Sequence, residues 1–184
     1  NAEKAWNYEI GGRWFPDRDT TISLTFYRID FGNQINYDST IISPSLGTPG
    51  GYINLGATRY QGIEFSGNWA LEKVPGLSFN AAYSFLDARQ LNGNYQGNFV
   101  PYTSKHQVSG GVTCECGNTN FNLNGFWCSR SYTDAANTKS GNATGSVGRV
   151  PGYVVFNVQV THAIPLRADG KKLDLSLAIM NFGD

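Results

Sequence analysis

For its size, charge is what this sequence has least of. Only 15% of its 184 residues are Asp, Glu, Lys or Arg, against roughly a quarter in soluble domains. The 14 cations balance the 14 anions, so nothing points to nucleic acid or an acidic surface as a partner. Long hydrophobic runs are missing as well. No stretch approaches the roughly 18 apolar residues of a spanning helix, and the densest short run is Tyr153 to Phe156. The chain has no basic-then-apolar opening of the kind that directs secretion. It begins at Asn1 with its pattern under way by Trp6, as a piece of a longer protein would.

Histidine is confined to His106 and His162, and cysteine to Cys114, Cys116 and Cys128. Neither histidine is spaced to join the cysteines around a metal. Cys114 and Cys116 share a strand face but are expected to diverge too far for an ordinary disulfide. Cys128 falls well up the next strand, so three free thiols are expected. No nucleophile elbow or Ser/His pairing appears. The glycines between Ser140 and Gly148 lack the strand-to-helix setting of a phosphate loop.

What the chain does have is aromatics, at 14%, with 22 glycines and a recurrent period of two. In Ile53 to Trp69, one face carries Gln61, Ile63, Phe65, Gly67 and Trp69. The other carries Gly62, Glu64, Ser66 and Asn68. Such a strand separates an oily medium from a wet one. The same alternation runs through Trp6 to Trp14, Ile22 to Phe26, Leu77 to Phe85 and Val108 to Cys116. It returns in Phe121 to Trp127, Val154 to Val160 and Leu173 to Ile179. In the second of these strands the phase slips after Phe26. Either a bulge lies near Phe26-Tyr27, or the strand has left the oily layer there.

The pattern predicts about eight strands of about 9 to 12 residues in up-and-down order. Short connections alternate with long polar ones over 32–57, 87–104 and 132–151. A soluble sandwich has no reason to gather its long loops at one end. A transmembrane β-barrel does, and its strand length suits a tilted crossing of the hydrocarbon layer. The inward set has Asn, Ser, Gly and Gln with Glu9, Arg13, Glu64 and Glu115, which reads as a charge network on a wide, wet lumen. A polar network filling a small eight-stranded barrel is the alternative.

NLGATRYQGIE (Asn54 to Glu64), the opening Asn7-Tyr8-Glu9-Ile10-Gly11, VPYTSKHQ (Val100 to Gln107), VPGY (Val150 to Tyr153) and the terminal NFGD together resemble TonB-dependent outer-membrane receptors. Within that family EKAWNYEIG, GNFVPYTSKH, FNLN and GSVGRVPG are similar to ferric citrate receptors. Gly183 departs from the family's usual closing aromatic. The resemblance implies an all-β, antiparallel up-and-down transmembrane β-barrel segment, about eight strands of a roughly 22-stranded barrel. Residues 1–184 would be its C-terminal part, without the plug domain and the final strand. It implies import of a ferric siderophore as cargo across the bacterial outer membrane. TonB would act through the missing plug, outer-membrane lipid would surround the wall, and no resident cofactor or enzyme activity is implied.

Capturing an anionic chelate calls for cationic forks and amide or hydroxyl donors at the rim. The candidates are Gln34, Asn36 and Tyr37 at the start of the first long connection, Arg59 at the rim of its strand and Arg130 at the top of another. Two other classes remain open at this stage. One is a soluble carbohydrate-binding or adhesin-like β-domain. The other is a barrel-fold enzyme, for which no catalytic pair is visible.

Overall fold

A computed structural model describes residues 2–42, 47, 49–143, 145, 147–166 and 171–182. Eight long strands form a single antiparallel sheet: β1 (Lys4–Trp14), β2 (Thr21–Ile42), β3 (Pro49–Ala70), β4 (Leu77–Gln90), β5 (His106–Cys116), β6 (Thr119–Cys128), β9 (Tyr153–Pro165) and β10 (Lys172–Phe182). A two-stranded ribbon, β7 (Ser131–Tyr132) with β8 (Arg149–Val150), lies within the third long connection. Each long strand pairs with its neighbours along the chain, in the order β1-β2-β3-β4-β5-β6-β9-β10. Among the described residues β1 and β10 do not pair with each other, so the sheet is an open wall rather than a closed small barrel.

The alternation read in the sequence sets the pairing. Ile10, Phe26, Ile63 and Phe85 stand in one cross-strand row. Val108, Trp127 and Val154 stand in another. All four tryptophans, Trp6, Trp14, Trp69 and Trp127, fall on this apolar face, and Trp69 stacks on Phe79 with ring centroids 5.4 Å apart. No second sheet covers that face among the described residues, and Ile10 remains 73% exposed and Leu177 70%. A soluble sandwich would have to bury these side chains, so the sandwich reading fails here.

One row measures the stagger of the wall. Trp14, beside a short turn, aligns through Ile22, Gly67, Ala81, Gly110, Gly125 and Phe156 with Phe182, at the opposite end of the strands. A row that crosses from one rim to the other over eight strands is the shear that a tilted barrel wall requires.

Two expectations about length are corrected, and the open choice about phase is decided. β2 and β3 run for 22 residues each and β4 for 14, so the first long connection is largely a strand pair and β4 extends to Gln90. These extensions have mixed or polar faces, which hides them from a period-two search. The register shows no irregularity at Phe26-Tyr27; the first shift lies between Phe31 and Gln34, where Asn33 takes φ 57°. The slip in phase therefore marks the strand leaving the apolar layer, which places Arg28 and Asp30 on the same face as Phe26. Gly117-Asn118 forms a two-residue turn with Gly117 at φ 60°, a conformation glycine adopts without penalty.

Candidate functional site: the polar wall and its loop rim

The opposite face is the polar wall. Asn7, Glu9 and Arg13 of β1 share it with Ser23, Thr25 and Tyr27 of β2, Glu64 and Ser66 of β3, and Ser84 of β4. Two shallow cavities of about 340 and 350 Å³ open on it and share Thr25 and Glu64. Further along the sheet Asn122 donates to Thr113 Oγ1 at 2.8 Å, and Asn124 donates to Asn122 Oδ1. Hydroxyls and amides at this density hold a hydrated surface.

The charge network expected on this wall does not form. Arg13 donates through Nε to Ser23 Oγ at 3.3 Å and, among the described residues, makes no ion pair with Glu9 or Glu64. Glu9 stands two same-face steps along β1 from Arg13, which keeps their charges apart. With Glu115 also on this face, carboxylates outnumber Arg13. The field over this part of the wall is therefore negative.

The long-loop end of the wall is where packing tightens. Val100 N–H donates to Ala88 O at 3.1 Å, and Tyr102 N–H to Tyr132 O at 2.7 Å. Phe99 N–H donates to Asn137 Oδ1 at 2.7 Å. These bonds fold the second and third long connections over the ends of β3 and β4, around a small core of Leu55, Ala88, Val100 and Ala135. Beneath them Thr58 is 0% exposed and Gln90 2%. The Gln90 Nε2 donates to Ala135 O at 2.9 Å and to Phe99 O at 3.2 Å. A wall with little interior of its own thus gains a fixed rim from its loops.

The five predicted contact residues do not converge. Gln34 sits at this rim, half-buried, donating to the Tyr60 hydroxyl at 2.6 Å and accepting from Thr58 Oγ1. Asn36 and Tyr37 lie in the strand extension rather than a loop; Asn36 Oδ1 accepts from Tyr37 N–H at 2.9 Å. The Tyr37 ring packs edge-on against Tyr52 at 5.9 Å. Arg59 is on the apolar-face side, where its Nε meets Asp30 Oδ1 at 2.6 Å while Arg28 holds the other oxygen at 2.8 Å. Arg130 lines a cavity of about 500 Å³ with Trp127 and His106, both of the apolar face. Sequence reasoning missed Thr58, Tyr60 and Gln90, which belong to the polar rows of β3 and β4. Their signal was present as continued alternation above Gly62, hidden by the polar segments on either side.

The cysteines also differ from expectation. All three are free, but Cys114 Sγ and Cys116 Sγ approach to 3.0 Å instead of diverging. On one strand face with no side chain between them, the two thiols lean together.

A single staggered sheet, apolar on one side and polar on the other, has an established counterpart. Residues 1–182 match the family described as TonB dependent receptor-like, beta-barrel. The chain belongs to that family. Solved structures agree. This chain is similar to the ferric citrate transporter FecA in its unliganded form, at 29% identity and a TM-score of 0.79, over 97% of this chain and 26% of that one. It shares its fold with the ferric-catecholate import receptor Fiu from K12 E. coli (20% identity, TM-score 0.66, 98% of this chain and 23% of that one). The same holds for the ferric yersiniabactin uptake receptor FyuA from Yersinia pestis (17% identity, TM-score 0.70, 98% and 25%). The chain spans about a quarter of the length of these structures. The sheet is thus a segment of a TonB-dependent receptor barrel. The family is one of receptors and transporters, not of enzymes.

Proposed function

We propose that residues 1–184 form the C-terminal part of the barrel of an outer-membrane receptor that captures a ferric siderophore and imports it with energy from TonB. The observation that carries this reading is the match to the ferric citrate transporter, 29% identical along 97% of this chain. It favours a ferric citrate-like cargo over larger catecholate chelates. The long connections face the outside of the cell, and Gln34, Asn36 and Tyr37 stand on that side. Together with Tyr60 they offer amide and hydroxyl donors to an anionic chelate above the carboxylate-bearing wall. Arg59 and Arg130, turned to the lipid side, have no part in capture. A plug domain, contributed by the rest of the receptor, would carry the TonB contact.

The test is accumulation of radioactive iron by cells whose only ferric-chelate receptor is the full-length protein. Iron presented as ferric citrate is expected to enter in a TonB-dependent manner, and a ferric catecholate to enter several-fold more slowly. Uptake of neither chelate, or uptake that persists without TonB, overturns the reading.

A further inference from the structure

The apolar face carries one feature that a uniform lipid-facing wall does not need. At the long-loop end of β5 and β6 lies the cavity of about 500 Å³ already noted for Arg130. It is lined by Lys105, Arg130 and His106 together with Phe99, Tyr132 and Trp127. It is a built space. Tyr132 stacks on Phe99 at 6.3 Å, and the Arg89 guanidinium caps the Phe99 ring at 3.7 Å. His106 is fixed by its N–H to Ser129 Oγ at 2.9 Å and by its Nδ1 with the Tyr83 hydroxyl at 2.9 Å. No carboxylate is among the residues lining it.

The charge balance there is unlike that of the neighbouring strands. On the same face, Asp30 pairs with both Arg28 and Arg59, and Asp87 with Arg89. Among the described residues Lys105 and Arg130 form no ion pair; Lys105 Nζ lies 5.3 Å over the Phe85 ring. Two cations without a counter-charge, one of them over an aromatic ring, suit an anion.

Directly below, the register places an apolar groove of about 360 Å³ that shares Trp127 with the cavity. The row under Val108 and Trp127 is Gly110 beside Gly125, and the next is Val112 beside Leu123. The Phe156 ring closes over Gly125, where an added Cβ would meet it at 2.9 Å. The notch therefore opens over Gly110, between Val108 and Val112. A missing side chain in a strand row leaves a trough about 7 Å long, enough to seat a stretch of a few methylenes of an acyl chain lying against the wall.

We propose that this cavity and groove form a binding site for a phosphorylated, acylated lipid of the surrounding leaflet. The phosphate sits between Lys105 and Arg130, and one acyl chain runs down past Trp127 over Gly110. The proposal rests on the membrane reading of the apolar face. It does not depend on which chelate is imported.

The experiment uses the full-length receptor in neutral detergent, without chelate, and measures retention of phosphatidylglycerol by native mass spectrometry. Phosphatidylcholine and inorganic phosphate serve as separate probes. Phosphatidylglycerol is expected to be retained in preference to phosphatidylcholine, and inorganic phosphate alone not to displace it. The double variant Lys105→Gln/Arg130→Gln is expected to weaken retention about tenfold. Val112→Trp, which fills the trough from the exposed face, is expected to weaken it without removing a charge. Heat-modifiable electrophoretic mobility confirms that both variants are folded barrels. Equal retention of the two lipids, full displacement by inorganic phosphate, or folded variants that bind like the parent each overturn the proposal. Ferric citrate uptake is read separately, so a failure of the cargo reading leaves this result standing.

Discussion

Gln90 holds its amide almost out of reach of water, and both of its donated bonds go to loop carbonyls. Each carbonyl has a second donor: Asn137 Nδ2 reaches Phe99 O at 2.9 Å, and Asn98 Nδ2 reaches Ala135 O at 3.1 Å. Gln90→Leu therefore removes two hydrogen bonds without orphaning their acceptors, a loss of about 1–3 kcal/mol. The cost falls on the docking of the loops and not on the sheet. Limited proteolysis of the full receptor is expected to cut within 91–105 or 129–152 about tenfold faster in this variant, with the barrel intact. An unchanged cutting rate would show that the loops are held elsewhere. At this scale the sequence was least legible. Gln90 sat in a stretch read as a loop, and nothing in its neighbours shows that Ala135 returns to meet it. The face that Arg59 occupies was equally hidden, because a residue type does not reveal it. Above the apolar layer, alternation no longer separates the faces.

Strands were read far better than side chains, for a physical reason. Where a strand has lipid on one side and water on the other, each residue is forced to match its medium, and a period of two is written into the chain. That holds for β1, for β5, β6, β9 and β10, and for the lower parts of β2, β3 and β4. It fails for the upper part of β2, beyond the register shift after Phe31. Gly62 shows how tightly the polar wall is fitted within one element. The Tyr27 ring lies against it, and a Cβ there would run into Tyr27 and the backbone carbonyl of Phe85. The carbonyl cannot rotate aside, so Gly62→Ala is expected to destabilise the barrel by about 1–3 kcal/mol. Thermal unfolding of the full receptor in detergent, followed by heat-modifiable mobility, checks this. A variant as stable as the parent would mean that β3 and β4 have more room than their register allows.

For the whole molecule, the order of the sheet, the gathering of long connections at one rim and the two-faced wall were all legible in advance. Each follows from the medium on either side. The stagger from Trp14 to Phe182 was not, since tilt is a property of many strands together. The rim is where the sequence pattern carries least information. The central claim concerns the wall: its apolar face meets lipid and its polar face meets water. In the full-length receptor, with Cys114, Cys116 and Cys128 replaced by serine, a fluorophore would be attached to single cysteines at Phe65 or Val158 and at Glu64 or Gln159. The receptor would then be placed in bilayers. Nitroxide-bearing acyl chains are expected to quench the label at Phe65 and Val158, and aqueous iodide to quench it at Glu64 and Gln159. Labels at Phe65 and Val158 that the acyl-chain nitroxides leave unquenched would contradict the account.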